Sequence, residues 1–304
     1  AYGVYVTGTQ NLTVEDTTID NASAAGVQAT GIDDLRVADT TVRGTVSGGS
    51  STPGHGIHAT VDSTGTFTNL TVVDNAARGI DVAGNAPHET ITISDSELSG
   101  NTIGVNVFGG ESFDVSGNDI SSNTDAGVKL DSWWQNHNDE GTVPTVDVVD
   151  NNFAANPTQV ADPSGEIDVR AVFGSNTFDA AAAVDGAGVF SSIQDAVDAA
   201  ADGDTVEVSA GTYTETVTVS TANVTLVGPN AGVPGDGDRG DEATIDGQLI
   251  VSASGVTVDG FDVSPPNATT NQNAEALRVS GGADDVIVRN NVVRDFGEDG
   301  IGQW

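Results

Sequence analysis

The chain of 304 residues contains no cysteine and no methionine. Without cysteine there is no disulfide bond and no thiolate metal site. A primary translation product begins with methionine, so we expect this chain to be processed or excised from a longer one. No run of about 20 apolar residues is present, so we expect no direct insertion into a membrane. No signal peptide is visible either.

Positive charge is almost as scarce. Lys129 is the only lysine, and nine basic residues face 45 acidic ones, which gives a formal net charge of -36. Nucleic-acid binding needs a Lys/Arg footprint and is therefore excluded. Self-repulsion opposes compaction at ordinary ionic strength, but at molar salt the Debye length falls to about 3 Å. This composition is typical of extreme halophiles. An acidic calcium-binding surface protein from a moderate organism is the alternative.

Short strands recur along most of the chain. Stretches of Val, Ile and Thr alternate with polar residues, which is the period of a β-strand. Each pair of strands is separated by a turn rich in Asp, Asn and Ser, with no helical period between them. Two to three short strands per repeat predict one coil of a parallel β-solenoid. A β-sandwich is the alternative, but the hairpin turns that it needs are largely missing. The apolar residue after each turn recurs at intervals of 22 to 33 residues, at Ile19, Val42, Val73, Leu98, Ile120, Phe153 and Phe178.

The segment 190–227 has a different character. Residues 191–201 predict a short amphipathic helix with Ile193, Val197 and Ala200 on one stripe, ended by Gly203. The end of a solenoid exposes unpaired strand edges, so we expect this helix to cover the coil that begins at about residue 204. A domain boundary then falls in the alanine-rich stretch before it, and the chain divides into 1–185 and 186–304.

The repeats and the pattern F-x-x-I-Q-x-A-V-D-A-A-x-x-G-D-T-V-x-V-x-x-G-T-Y-x-E-x-V, from Phe190 to Val217, resemble the right-handed parallel β-helix family. Within this family, the chain resembles the pectate-lyase-like superfamily and, in its composition, repeat proteins of haloarchaeal surface-protein type. The resemblance covers nearly the whole chain. It implies an all-β, right-handed parallel β-helix (β-solenoid) with a short capping α-helix at about 191–201.

The order of the two segments suggests assembly. The body of a solenoid precedes its apparent start, and the interval from Val293 across the join to Ile19 is 30 residues, which is within the range of the repeat. We therefore expect the last coil to continue into residue 1 of another copy or repeat. The leading hypothesis is a structural or interaction unit of the cell exterior, in a surface filament, adhesin or surface layer, that stacks end to end with copies of itself.

An enzyme is the first alternative, because several members of the resembled family cleave acidic polysaccharides. His55 lies in a Gly-His-Gly segment similar to that of polygalacturonases, and Asp33 and Asp34 are the candidate paired aspartates. The Asn-Thr-Asp and Arg-Ile-Lys segments of that family are absent. Residues on neighbouring predicted coils suit a calcium-dependent lyase: Asp259, Asp262, Arg289, Arg294 and Asp295. The sequence singles out no catalytic residue, and the net charge would repel acidic glycans unless calcium bridged them.

Two groups of side chains bear on metal binding. Asp236, Asp238, Asp241 and Glu242 lie in a glycine-rich loop, where closely spaced oxygen ligands suit Ca²⁺. A solvated acidic loop is the alternative. His55 and His58 lie three residues apart on a predicted strand, so we expect them on opposite faces, without a shared metal.

Tryptophan is rare in this chain, with three residues in total. Trp133 and Trp134 lie in an insertion at 131–145 and suit stacking on a surface glycan or anchoring a protein partner. A carbohydrate-binding or viral tailspike-like receptor-binding module is therefore the second alternative. Trp304 is expected to pack across the seam between copies. Sequons predict glycosylation of an exported chain at Asn11, Asn21, Asn69, Asn223 and Asn267.

The halophile hypothesis predicts that the protein unfolds when salt is removed, because the repulsion among 45 carboxylates is then unscreened. Circular dichroism followed during dialysis from molar salt to dilute buffer measures this. A strand signal that persists unchanged in dilute buffer would contradict the hypothesis.

Overall fold

The structure is a computed structural model that describes residues 1–304 except 49–52, 85–88, 132–144, 164, 166, 266–274, 298 and 304. Its contacts divide the chain into two compact units, Ala1–Phe178 and Asp179–Trp304. The sequence places the boundary slightly later, at 185/186. Among the described residues, no helix has both the length and the apolar character needed to cross a membrane.

Unit 1 is a stack of parallel coils with three faces. The long strands β1 (Val4–Glu15), β3 (Ala25–Ala38) and β5 (His55–Thr68) each run through the first two faces. The first sheet continues in β7 (Ile80–Gly84), β10 (Ile103–Phe108), β13 (Ala126–Leu130) and β16 (Thr158–Ala161). The second continues in β8 (Thr90–Ser94), β11 (Ser112–Ser116) and β14 (Thr145–Val149). The third contains β2 (Thr18–Asp20), β4 (Thr41–Arg43), β6 (Thr71–Val73), β9 (Glu97–Ser99), β12 (Asp119–Ser121), β15 (Asn152–Ala154) and β17 (Thr177–Phe178).

The core of unit 1 is built from columns of equivalent residues. Alternate strand residues point inward, and the parallel register stacks each one on its equivalent in the next coil. On the first sheet this column is Val27, Ile57, Ile80, Val105, Val128 and Val160, all buried. Burial of each such side chain stabilises the fold by about 1.5–3 kcal/mol. A short helix, α1 (Val169–Ser175), packs Val169 and Val172 inward.

Buried asparagines connect the corners of successive coils. Asn123 donates its side-chain N–H groups to the backbone carbonyl of Leu98 at 3.0 Å and to Oδ1 of Asn156 at 2.9 Å. Its own Oδ1 accepts from the backbone N–H of Asn101 at 3.0 Å. One such ladder contains Asn75, Asn101, Asn123 and Asn156, and a second contains Asn118, Asn151 and Asn176. The ladders thus provide hydrogen-bond partners for backbone groups at the corners, which are buried away from water.

A column of glycines lies at the entrance to the first sheet. A Cβ at Gly56 would lie 2.6 Å from the carbonyl oxygen of Gly79, closer than real Cβ atoms approach. The next coil repeats this arrangement, because a Cβ at Gly79 would lie 2.7 Å from the oxygen of Gly104. The coils can pack this closely only with glycine at this corner. The full column is Gly3, Gly26, Gly56, Gly79, Gly104 and Gly127.

Unit 2 begins with an antiparallel hairpin, β18 (Ala182–Val184) and β19 (Gly188–Phe190), followed by the helix α2 (Ile193–Ala199). The predicted helix is confirmed, and Ile193, Ala196 and Val197 enter the core. It ends before the predicted stop at Gly203, which lies in the following turn with φ +89°. The Glu215 carboxylate accepts from the Ser192 hydroxyl and from the N–H groups of Ile193 and Gln194, so the start of the helix is held by the coil beneath it.

The rest of unit 2 is again a three-faced parallel solenoid. One sheet contains β20 (Thr205–Val208), β23 (Thr225–Val227), β26 (Thr257–Asp259) and β29 (Ile287–Arg289). The next contains β21 (Gly211–Tyr213), β24 (Ala243–Ile245), β27 (Asp262–Val263) and β30 (Val292–Val293). The third contains β22 (Val217–Val219), β25 (Leu249–Val251), β28 (Leu277–Val279) and β31 (Ile301–Gln303). The predicted fold class is confirmed in both units.

The asparagine ladder predicts a large difference between two substitutions in adjacent coils. Asn123→Ala leaves buried amide and carbonyl groups without partners and should lower the free energy of unfolding by about 3 kcal/mol. Asn152→Ala removes one exposed contact to Asp119 and should change it by less than about 0.5 kcal/mol. Urea denaturation at constant salt measures both. Equal effects would contradict a structural role for the ladder.

Candidate functional site

A row of polar side chains follows the outer face of the first sheet in unit 1. These residues alternate with the inward-pointing core column, so each one faces outward from its own coil. Parallel register makes them neighbours although 23 to 30 residues separate them along the chain. In coil order they are Tyr5, Gln28, His58, Asp81, Asn106 and Lys129.

Two further side chains reach this row from the corner of the coil. His55 and Arg78 each come directly before a glycine of the column, and His58 and Asp81 each come two residues after it. The His55 and His58 rings stack with their centroids 5.3 Å apart and an interplanar angle of 19°. The expectation that the two histidines face opposite sides is wrong. His55 lies at the corner, so the alternation of a straight strand does not extend to it.

Asp81 is the centre of the cluster and is 1% exposed. Its Oδ1 accepts from Arg78 Nη1 at 2.9 Å and from Asn106 Nδ2 at 3.1 Å. Its Oδ2 lies 2.7 Å from His58 Nδ1 and 3.5 Å from His55 Nε2. A buried carboxylate is costly unless it is paired and hydrogen-bonded, and this one has four polar neighbours.

The surroundings of the cluster set the charge states of Asp81 and His55. Burial acts to raise the pKa of Asp81, but the His58 hydrogen bond and the positive charge of Arg78 outweigh it, so the pKa is lowered and Asp81 is a carboxylate. Burial lowers the pKa of His55 to about 4, with Asp81 opposing and His58 and Arg78 reinforcing this shift. His55 is therefore neutral at pH 7. Its Nδ1 and the Oδ1 of Asn106 are buried without a hydrogen-bond partner among the described residues.

The cluster forms part of the wall of a cleft of about 310 Å³. Tyr2 is 39% exposed, and its ring centroid lies 4.9 Å from that of Tyr5. The Arg78 guanidinium lies over the Phe108 ring, 5.1 Å from its centroid, and 3.7 Å from the Asp131 carboxylate. Polar groups and aromatic rings thus border the same space. The lining residues are Tyr2, Ala24, Gln28, Pro53, His55, His58, Arg78, Asp81 and Phe108.

The acidic loop proposed for calcium has a different arrangement. Asp236, Asp238 and Asp241 are exposed. Glu242 is instead engaged by Arg239, with Nε–Oε1 at 2.6 Å and Nη2–Oε2 at 2.9 Å, which lowers its pKa. No three of these carboxylates converge; in the described part of the chain the convergent group of potential ligands is His55, His58 and Asp81. Calcium in this loop stays a prediction.

The residues considered for a hydrolase lie in unit 1, and those considered for a lyase lie in unit 2. Asp33 and Asp34 do not line the cleft of His55. The residues considered for a lyase form ion pairs between neighbouring coils, with Asp259–Arg289 at 2.8 Å and Asp262–Arg294 at 2.6 Å. Arg294 also lies 3.3 Å from Asp295.

Several predicted contact and modification sites are accounted for only in part. Trp133, Trp134, Trp304 and Asn267 lie outside the described residues. The other four sequon asparagines are exposed, as glycosylation requires, and their modification stays a prediction. They are Asn11, Asn21, Asn69 and Asn223.

A family model described as a right handed beta helix region matches residues 45–192. The fold is a right-handed β-helix. The match includes the cluster around Asp81, so the β-helix coils that carry the site are also the coils that the family model covers. No curated protein and no solved structure matches the chain.

Arg78, Asp81 and Asn106 are functional candidates that sequence reasoning missed. A usable signal lies in the segments His-Gly-Ile-His at 55–58 and Arg-Gly-Ile-Asp at 78–81. Alignment of the β-helix coils on these glycines, and not on the turn that follows, places the cluster residues in adjacent rows.

The cluster predicts different costs for two arginine substitutions. Arg78→Ala removes a charged donor from the buried Asp81 carboxylate, so it should raise the pKa of Asp81 and lower the free energy of unfolding by about 2 kcal/mol. Arg36→Ala breaks an exposed pair with Glu15 and should cost less than about 1 kcal/mol. Denaturant unfolding of both variants at one salt concentration tests this. A cost for Arg78→Ala no larger than that for Arg36→Ala would contradict the assignment.

Proposed function

We propose that this β-helix binds a glycan in the cleft over Asp81, as an interaction unit of the cell exterior. The observation that carries the proposal is the combination of polar and aromatic groups around one cleft. Gln28 and His58 offer hydrogen-bond donors and acceptors, and Tyr2 offers a ring face. A sugar presents hydroxyl groups at its edge and C–H groups on its face, and this lining complements both.

Binding is better supported than hydrolysis. Glycoside hydrolases use two carboxyl groups on either side of the scissile bond, about 5–5.5 or 6.5–9.5 Å apart. Asp81 is the one carboxylate among the residues that line the cleft. Its oxygens are already held by Arg78, Asn106 and His58. Among the described residues, the cleft therefore has no pair of carboxyl groups of the kind that the reaction requires.

The glycan proposal predicts that substitutions in the cleft weaken binding. We expect Tyr2→Ala and Gln28→Ala to raise the dissociation constant about threefold to tenfold, by loss of ring contact and of a hydrogen bond. Isothermal titration calorimetry with defined oligosaccharides of glucose and of galacturonate, in molar salt, measures this.

Phe296→Ala is the control, because Phe296 is an aromatic residue that is 42% exposed and does not line the cleft. Equal weakening by Phe296→Ala would remove the cleft from the proposal. If the oligosaccharides became shorter during incubation with the protein, the protein would be an enzyme and the proposal of binding without cleavage would be wrong.

End-to-end assembly is a second candidate function, favoured by the strand edges. In the part of the chain that the structure describes, β1 and β2 pair on one side only, and so do β29, β30 and β31. Such rows are templates for a further parallel coil. Ile287 and Ile301 are 49% and 53% exposed in the last of these rows. We propose that a coil of a second copy covers them.

The assembly proposal predicts that charge on the last row keeps the protein monomeric. Ile287→Lys with Ile301→Lys should abolish any concentration-dependent growth in mass, because lysine at a strand edge opposes pairing. Light scattering coupled to size exclusion measures the mass. Val46→Lys, at a position that is 51% exposed and outside any strand, is the control. Wild-type protein that stays monomeric at high concentration would end this proposal.

A further inference from the structure

Three side-chain atoms in the cleft meet as ligands of a small cation would. His55, His58 and Asp81 each offer one potential ligand atom, and these three atoms lie within 4.8 Å of one another. Asp81 Oδ2 is 3.5 Å from His55 Nε2 and 2.7 Å from His58 Nδ1. Two ligands of a tetrahedral zinc ion, each about 2.1 Å from the metal, are about 3.4 Å apart. The longer measured distance already suits an ion, and the shorter one has to lengthen by about 0.7 Å.

We propose that His55, His58 and Asp81 bind one divalent cation of the zinc class at the wall of the cleft. The donor set decides the class of metal. Two imidazole nitrogens and one carboxylate suit zinc, cobalt, nickel and copper, whereas calcium and magnesium take oxygen ligands. Three protein ligands leave a coordination position, and the cleft beside them has room for water or a ligand atom there.

The surroundings of Asp81 prepare it for this role. Arg78 and Asn106 hold Oδ1, which leaves Oδ2 directed at the two imidazoles. Ligating carboxylates are usually oriented by outer hydrogen bonds of this kind. The positive charge of Arg78 opposes a cation, but the Asp131 carboxylate lies 3.7 Å from the guanidinium. The chain as a whole carries a net charge of -36, which also favours cation binding.

Metal binding requires a change of tautomer in His58. His58 Nδ1 lies 2.7 Å from Asp81 Oδ2, so the proton of the neutral ring must be on Nε2 when Nδ1 accepts a metal. His58 is partly exposed, with 32% of its side chain accessible, so water can hydrogen-bond the Nε2 proton. The neutral ring changes tautomer without a net loss of protons.

The test is titration of the chelator-treated protein with Zn²⁺, Co²⁺ and Ca²⁺ by calorimetry, at a salt concentration that keeps the chain folded. We expect one Zn²⁺ per chain, bound at least tenfold more tightly than Ca²⁺. Co²⁺ should give the visible absorption of a four- or five-coordinate ion with nitrogen ligands. Zn²⁺ bound no more tightly than Ca²⁺ would overturn the proposal.

Variants separate this site from adsorption to an acidic surface. Asp81→Asn and His58→Gln should each weaken Zn²⁺ binding at least tenfold and abolish the Co²⁺ absorption. Asp20→Asn removes the same charge at an exposed carboxylate paired with Arg43 and should leave both unchanged. Circular dichroism verifies the fold, and His58→Gln keeps the test valid if Asp81→Asn does not fold. Equal Zn²⁺ binding by all three variants means adsorption to surface carboxylates only and overturns the proposal.

The metal site does not depend on glycan binding. If an oligosaccharide binds with equal affinity in the presence of chelator and of Zn²⁺, the proposed glycan binding holds and the metal takes no part in it. Zn²⁺ binding without any affinity for oligosaccharide leaves the metal site standing and ends the glycan proposal.

Discussion

Hydrogen bonding between the corners of successive coils is the constraint on which unit 1 depends. A solenoid has to turn its chain several times per coil, and each turn buries backbone groups that water cannot reach. The amides of Asn101 and Asn123 satisfy these groups and at the same time connect one coil to the next. This fixes the register along the stack. The inward columns can then pack, and the outward columns bring His58 next to Asp81.

The candidate site uses two positions in each coil, one on either side of the corner glycine. His55 reaches the cleft from before Gly56, and His58 reaches it from the sheet beyond. Because the coils repeat closely, two histidines from one coil and Asp81 from the next share one small volume. The same closeness forces the carboxylate into a buried position, where its partners determine its charge.

The solenoid fold and helix α2 could be predicted from the sequence, because both depend on local periodicity. It did not reveal Asp81, which looks like any outward residue of a strand until the register sets histidines beside it. The hairpin before α2 was also missed, although Asp185-Gly186 is a common hairpin turn. The relation between His55 and His58 was wrong because a corner interrupts strand alternation. The ladder asparagines looked like ordinary turn residues, since turn propensity does not distinguish a buried amide from an exposed one.

The glycine column has a consequence for how such a protein changes over time. Close approach to the next carbonyl ties each corner to glycine, while the residue two positions later faces outward and is free of that restriction. Whole coils can therefore be gained or lost without disturbing the stack. Loss of the coil that carries Asp81 would set His58 against Asn106, so that an amide would replace the carboxylate beside this histidine in one step. The order of the coils therefore determines which side chains are neighbours on this surface.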